Sequence, residues 1–330
     1  EILLGRVRAF FGSPVAKLVF SGKSLNPITA ILIFLLVAGI TYWSNSRKGK
    51  SEPSKDDLPS EREQKRYRVR VIVGIALLLI LPLILGTYLT EVMNNVGIYV
   101  LMGLGLNIVV GFAGLLDLGY VAFFAIGAYV MGILTSEGNL GLGFTFWTAL
   151  PFSVLAATLF GIVLGLPVLR MRGDYLAIVT LGFGEIIRIL ALSDMLKNFI
   201  GGAQGVLQIP KPSIFGYALI KPEALFYVIL LGVLLAAFIA WRLRDSRLGR
   251  QWMALREDET VAEAMGINLV NTKLLAFATG AAFSGLAGAI FASKLTSIFP
   301  HSFNLIVSIN VLSLIIVGGI GSLPGVVVGA

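Results

Sequence analysis

The sequence predicts an all-α membrane protein, a bundle of about nine to ten transmembrane helices, some of them broken or re-entrant. The 330 residues are 57% hydrophobic and only 13% charged, whereas a soluble domain carries about a quarter charged residues. A large core does not explain this deficit, because a soluble protein still needs polar groups over its surface. The apolar residues also cluster into runs of about the length that crosses a bilayer, roughly 17–25 residues.

Nine such runs follow one another along the chain, and a tenth opens at Val326. Inside lipid the backbone polar groups must be satisfied within each segment, so we expect helices, or broken helices that face protein or water. Length, and not periodicity, separates these runs from buried strands. The nine runs are Pro27–Ser44, Val71–Leu89, Val96–Phe112, Tyr120–Thr135, Thr148–Leu169, Asp174–Leu192, Ala224–Trp241, Lys273–Ser293 and Leu305–Ile320.

Lys and Arg are concentrated in three connecting segments, which indicates that these segments are cytoplasmic. They are Arg47–Arg70, Arg242–Arg256 and the short link that holds Arg170 and Arg172. The other links are then exterior, and every helix from Val71 onward alternates correctly. The formal charge of +8 therefore reflects membrane orientation, and we expect no nucleic-acid partner.

Composition divides the chain into four parts. Residues 1–26 form a basic tail, predicted to lie as an amphipathic segment on the membrane surface, and residues 27–44 form the first transmembrane helix. Residues 45–70 have almost no apolar side chains and are predicted to be a charged cytoplasmic linker. Residues 71–330 form the main bundle, with a cytoplasmic segment at 242–272. The chain begins at Glu1 and stops inside an apolar run, so we expect both ends of a longer protein to be missing.

The residue types argue against enzyme chemistry in this chain. The sequence has no Cys and a single His, His301, which leaves little for thiolate, metal or triad chemistry. Gly22-Lys23-Ser24 looks like the end of a phosphate-binding loop, but Lys17 stands where that motif needs Gly. We therefore expect no catalytic residue, no metal site and no cofactor here, and any ATP hydrolysis must belong to a partner.

Polar residues within the apolar runs are candidates for a translocation path. Glu185 and Arg188 are three apart and share one helix face, and charges at membrane depth usually face a bundle interior or water. Either they form a structural ion pair that locks the helix against its neighbours, or they line the path near a zwitterionic cargo. Asn107 is a further path candidate, although a bond to a neighbouring helix is favoured. Asp117 is predicted to cap the following helix.

An exterior glycine cluster follows the run that holds Glu185. It consists of Gly201, Gly202, Gln204 and Gly205 around Ala203. The glycines favour either a tight turn that presents its amides at a gate or an ordinary flexible loop, and both interpretations stay open.

The cytoplasmic segment Leu248–Asn268 is predicted to hold an amphipathic helix from Met253 that Gly266 ends. Its apolar stripe is small and its polar face is as acidic as it is basic, which favours a groove on a partner protein over the membrane surface. The residues expected to couple it to a partner are Arg256, Glu257, Asp258, Glu259, Ala262, Glu263 and Gly266.

Four ordered blocks resemble the LivM-type permeases, one of the two membrane subunits in ABC importers of branched-chain amino acids. They start at Gly105, Leu169, Gly249 and Val317, and the resemblance covers Val71 to the end. It implies a second homologous permease, two ABC ATPases that bind ATP and Mg, an extracytoplasmic substrate-binding protein, and the lipid of a bacterial inner membrane.

The cargo stays open at this point. Family members often read Gly-Gly-Pro-Asn-Gly where this chain has Gly201 to Gly205. Branched-chain or other neutral amino acids are favoured, and urea or short amides are the near alternative. An ion-coupled secondary transporter is the alternative from another class, but it needs a coupling device such as several intramembrane carboxylates, for which Glu185 alone is thin support.

Overall fold

A computed structural model describes residues 20–21, 24–25, 61–137, 141–168, 171, 174–214 and 217–330. The chain divides into two compact units, Glu1–Val73 and Gly74–Ala330. The described helices are α1 (Glu61–Leu106), α2 (Val121–Thr135), α3 (Phe146–Val168), α4 (Asp174–Leu192), α5 (Lys197–Ile200), α6 (Pro222–Arg244), α7 (Arg247–Glu257), α8 (Glu259–Ala264), α9 (Leu269–Leu295), α10 (Leu305–Gly318) and α11 (Leu323–Gly329).

Strands are short within the described residues. In the first unit, β1 (Phe20–Ser21) pairs antiparallel with β2 (Ser24–Leu25), with Phe20 opposite Leu25. In the second, β3 (Ser213–Ile214) pairs antiparallel with β4 (Tyr217–Ala218). Single turns of 3₁₀ helix lie at Asp194–Leu196, Gly202–Gln204 and Pro300–Ser302.

Six helices in the described part of the chain are long and apolar enough to cross a membrane. This confirms an all-α membrane bundle, while the count of nine to ten helices stays a prediction. Val121–Thr135 is a shorter apolar helix. The six are Gly86–Phe112, Phe146–Pro167, Tyr175–Leu192, Pro222–Arg244, Leu269–Leu295 and Pro300–Gly318.

The N-terminal predictions fall largely outside the described residues. This holds for the run Pro27–Ser44, for most of the tail 1–26, and for the linker up to residue 60. Residues 61–70 of the predicted linker are the first residues of α1.

Helix α1 bends inside the first of two apolar runs that the sequence predicted as separate helices, and it stays helical across the predicted break between them. Pro82 lies inside the helix and Gly86 has non-helical angles, φ 73° and ψ 174°. Proline removes a helical hydrogen bond, and glycine accepts a positive φ at little cost. The runs Val71–Leu89 and Val96–Phe112 are therefore parts of one bent element.

The centre of the bundle is built from α2, α3 and α9, which approach closely at small residues. A Cβ atom added to Gly127 of α2 would lie 2.3 Å from the carbonyl oxygen of Gly285 on α9, and one on Gly161 of α3 would lie 2.6 Å from the Cβ of Ala281. Such close approach lets helices pack in lipid, where there is no hydrophobic driving force between them. The core therefore excludes larger side chains at these glycines.

Candidate coupling segment and translocation face

The segment between α6 and α9, which the sequence predicts to be cytoplasmic, forms two short helices, α7 and α8, where the sequence predicted one helix. The break is at Asp258, which has an extended backbone (φ −158°, ψ 116°). Its Oδ1 accepts hydrogen bonds from the backbone N–H groups of Thr260 (2.8 Å) and Val261 (3.1 Å). Aspartate is a strong N-cap because its side chain satisfies the free amides of the first turn, so Asp258 starts a new helix.

Gly266 ends α8, as predicted. It has φ +83°, its N–H donates to the carbonyl of Glu263 at 2.9 Å, and the next N–H, of Ile267, donates to Ala262 at 3.1 Å. These two hydrogen bonds form a Schellman motif, which commonly ends helices at a glycine in the left-handed conformation.

Three polar contacts hold α7 and α8 to the membrane helices. The fully buried Trp252 donates its indole N–H to the carbonyl of Thr272 at 2.9 Å. Lys273 of α9 forms an ion pair with Glu259 at 2.7 Å, and its side chain is only 3% exposed. Arg256 donates to the carbonyl oxygen of Gly111 at 2.6 Å. The segment is thus fixed to α9 and to the end of the α1 element.

The residues predicted to couple this segment divide into two groups. Arg256, Glu259 and the buried Ala262 contact the protein itself. Glu257, Asp258, Glu263 and Gly266 are exposed. The largest exposed apolar side chains of α8 and its end are Val261 and Met265, at 58% and 79% exposure. These lie on the apolar stripe that the sequence indicated.

Asn107 begins a π-helical turn, Asn107–Phe112, at the end of α1. Its Oδ1 accepts from the N–H of Gly321, in the turn between α10 and α11, at 2.8 Å. The sequence favoured a bond to a neighbouring helix, and the observed partner is the turn that joins two helices. Because Asn107 is fully buried, it does not line an open path in this structure. Wide π turns disturb the regular helical pairing and are frequent at functional sites.

Asp117 does not cap α2, so that prediction was wrong. Its Oδ1 accepts from the N–H of Gly119 at 2.9 Å, which closes a local turn before the helix begins. The first N–H of α2, on Val121, donates instead to the hydroxyl of Ser308 on α10 at 3.0 Å. Asp117 is fully buried in this connection, and burial raises its pKa to about 7, against the opposing effect of the Gly119 N–H.

The connection that holds Asp117 also contacts α4. The N–H of Leu118 donates to the hydroxyl of Thr180 at 3.1 Å. A Cβ on Gly119 would lie 1.7 Å from the carbonyl oxygen of Thr180. Only glycine fits there. The two backbones are in direct contact, so a shift of this connection toward α4 would displace α4.

Glu185 and Arg188 pair with each other on α4. The Nε of Arg188 lies 3.1 and 3.0 Å from the two carboxylate oxygens of Glu185, and Nη2 also bonds to Oε1. The side chains are 44% exposed for Glu185 and 32% for Arg188. Within the described residues the pair stays on one helix, so it does not join α4 to a neighbour.

A small cavity of about 120 Å³ lies beside Glu185, between α4, the start of α10 and the connection before α2. Apart from the Glu185 carboxylate its walls are apolar. The lining residues are Leu118, Val121, Leu181, Gly184, Glu185, Phe303 and Leu305.

The glycine cluster that the sequence predicts to be exterior is an ordered turn. Gly201, Gly202 and Gly205 all have positive φ, and a Cβ on Gly205 would lie 1.9 Å from the carbonyl oxygen of Ile298. The following strand-like residue Val206 exchanges two backbone hydrogen bonds with Ile298, at 3.0 and 2.9 Å. The backbone therefore forms a tight turn, and a role of its amides at a gate stays a prediction.

The profile of the family described as "Branched-chain amino acid transport system / permease component" matches residues 88–330. The chain belongs to this family. The match includes the π turn, the Asp117 connection, α4 with its ion pair, and helices α7 and α8. The resemblance drawn from the sequence blocks is therefore confirmed, and with six membrane-capable helices the chain is a multi-pass membrane protein, consistent with the inner membrane.

Individual relatives agree with this assignment. The high-affinity branched-chain amino acid transport system permease protein LivM of Escherichia coli K12 is 40% identical over 291 residues, which cover 81% of this chain and 66% of the relative. LivM of Salmonella typhimurium is 43% identical over 256 residues, 71% of this chain and 59% of the relative. The chain thus spans less than two thirds of each LivM protein, 66% of one and 59% of the other.

A second type of relative is more distant. The permease protein LivH of Salmonella typhimurium is 24% identical over 267 residues, which cover 73% of this chain and 82% of LivH. Two differently named permeases of one transport system are therefore both similar to this chain. No solved structure matches the chain.

Proposed function

We propose that the chain is a permease subunit of a binding-protein-dependent ABC importer in the inner membrane of a bacterium. It would form, with a second homologous permease, the path for branched-chain or other neutral amino acids. Two ABC ATPases would bind ATP and Mg and drive transport, and an extracytoplasmic binding protein would deliver the cargo. The similarity to both LivM and LivH supports a pair of related permeases.

The observation that carries this proposal is the coupling segment. Helices α7 and α8 are fixed to the membrane helices on one side by Trp252, Arg256 and Glu259. On the other side they expose Val261 and Met265 beside the acidic Glu263. A short apolar stripe with charged neighbours suits a groove on a partner protein. Because one face of the segment is fixed to the membrane helices and the other is exposed, motion of a partner bound to the exposed face would be transmitted to the membrane helices.

Contacts within the protein also support a route by which this motion would travel from α7 to α4. Arg256 bonds to Gly111 in the π turn, the chain continues through Asp117, and Leu118 bonds to Thr180 of α4. We propose that motion of the ATPases reaches α4 by this route and switches the bundle between outward and inward access. The turn at Gly205, on the predicted exterior side, would form part of the gate, and the whole chain would have the nine to ten transmembrane helices that its sequence predicts.

The test of this proposal is uptake of radiolabelled leucine into proteoliposomes that contain the chain, its partner permease, the ATPases and the binding protein. Uptake should need ATP and every partner. Uptake of leucine without ATP or without the ATPases would contradict the importer, and ATP-driven uptake of urea but not leucine would contradict an amino-acid cargo.

The docking surface is tested separately. Met265→Asp should abolish co-purification of the ATPases, because it places a charge at the most exposed apolar residue of the stripe, while the membrane fold stays intact. Ile220→Asp is a matched control, since Ile220 is 68% exposed on the predicted exterior side. Normal ATPase binding by Met265→Asp would count against α8 as the docking element.

A further inference from the structure

The membrane-spanning helices expose two kinds of face. On α3 the exposed side chains within Phe152–Pro167 are all apolar, and on α6 those within Leu231–Trp241 are all apolar or aromatic. Such faces suit lipid directly. Apart from the indole N–H of Trp241, no exposed side chain in these two ranges offers a hydrogen bond to a polar cargo.

Helices α4 and α10 differ from this pattern. Helix α4 carries the half-exposed Glu185 and Arg188, and α10 exposes Asn310 and Ser313, three residues apart on one face. Charged and amide groups at membrane depth are costly against lipid and usually face protein or a water-filled space. The α4–α10 side is therefore the one suited to an aqueous path.

The cavity beside Glu185 lies where these two helices meet. Its apolar wall comes from three parts of the chain: Leu181 on α4, Phe303 and Leu305 at the start of α10, and Leu118 and Val121 around the start of α2. The ion pair lies at its edge, because Glu185 lines the cavity and Arg188 bonds to Glu185. An apolar hollow with one charged pair at its edge has the polarity of a neutral amino acid.

We infer that this cavity is the subsite for the aliphatic side chain of the cargo, with the cargo ammonium on Glu185 and its carboxylate on Arg188. The inference rests on the proposed function and adds the location and size of the cargo site. Leu181 and Leu305 are then specificity-determining residues, since they set how large a side chain enters.

The charges of the ion pair match a zwitterion. In the structure Glu185 and Arg188 satisfy each other within one helix. A zwitterion brings one charge of each sign, so it replaces one ion pair with two and leaves no charge uncompensated. Urea and short amides have no ionised groups and cannot make this exchange, which distinguishes the amino-acid cargo from the near alternative.

The size of the cavity selects among amino acids. An apolar cavity of about 150 Å³ holds one benzene molecule. The observed volume of about 120 Å³ is therefore enough for a branched aliphatic side chain but tight for an aromatic one. Alanine would leave most of it empty and lose the apolar contact.

The test compares two cargos in the same reconstituted transporter. Leu181→Phe fills the cavity and should lower kcat/KM for leucine by about 10-fold or more, the range for a misfitted methylene, while uptake of alanine changes much less. Ile189→Phe is the matched control: it lies on α4, is 55% exposed and does not line the cavity. It should leave the leucine-to-alanine ratio unchanged.

The ratio separates selectivity from folding, because misassembly lowers both cargos together. Leu305→Phe, at the opposite wall, should shift the ratio in the same direction and serves if Leu181→Phe does not assemble. An unchanged ratio in an active variant would overturn the subsite while wild-type ATP-driven uptake upholds the proposed function. Absence of ATP-driven uptake by the wild type would overturn the proposed function itself.

Discussion

The Glu185–Arg188 ion pair differs from the two other ion pairs in the described part of the chain. Glu259–Lys273 joins the coupling segment to α9, and Glu91–Lys294 joins α1 to the other end of α9. Both lysine side chains are nearly buried, at 3% and 4% exposure, whereas Glu185 and Arg188 are 44% and 32% exposed. Pairs that join separate elements hold the bundle together, and a pair within one helix leaves its charges available to a cargo.

The largest effect on stability is expected from Glu259→Gln. It leaves Lys273 buried without its counter-charge, and breaking one side of a buried pair costs about 3 kcal/mol. The free energy of unfolding, measured by denaturant titration in mixed micelles, should fall by about that amount. Glu263→Gln is the control, since Glu263 is exposed in the same segment; equal effects of the two would show that the pair does not hold α8.

Glu91→Gln should have a smaller effect on unfolding. Lys294 keeps its hydrogen bond to Asn95 at 2.5 Å and loses only the carboxylate, for which about 2 kcal/mol is expected from a hydrogen bond to a charged group. The same titration measures it. A loss as large as that of Glu259→Gln would mean that Asn95 provides no compensation.

Arg256→Ala should destabilise the fold by about 1 kcal/mol, because its bond to Gly111 is charge-assisted but the side chain is largely exposed. Its effect on coupling should be larger than its effect on folding. ATP hydrolysed per leucine transported should rise, whereas Arg247→Ala, an exposed residue of the same helix, should leave this ratio unchanged. Unchanged coupling in Arg256→Ala would rule out the route through the π turn.

The smallest change in stability is expected from Glu185→Gln, although its transport should be strongly reduced. The pair joins no elements, and on a wet face the remaining Arg188 stays hydrated, so the unfolding titration should not move measurably. If this face lay against lipid, the unpaired arginine would lower both assembly and stability, and the difference between the two kinds of pair would disappear.

Local signals in the sequence predicted some features of the coupling segment and of α4. Gly266 as a helix stop and Glu185 with Arg188 on one face follow from residue type and from a spacing of three, and both are observed. Asp258 also carried a local signal, since aspartate is a strong N-cap, but the amphipathic stripe across it suggested a continuous helix.

Other features depend on residues that are distant in the chain. Glu259 faces inward because Lys273 lies beside it in the fold. At the start of α2, Ser308 from another helix caps Val121, and Asp117 instead accepts a hydrogen bond within its own turn. The cavity draws its walls from three separate segments. No periodicity within one segment indicates such a meeting.

In the proposed transporter the α4–α10 face lines the aqueous path and the α3 face contacts lipid. The sequence has no Cys, so single cysteines can be placed at Leu181 on α4 and at Val163 on α3 and exposed to a charged, water-soluble thiol reagent in the assembled transporter. We predict that Leu181→Cys is labelled, that saturating leucine slows its labelling, and that Val163→Cys, at a site 57% exposed, is not labelled. Labelling of Val163→Cys with none at Leu181→Cys would contradict the account.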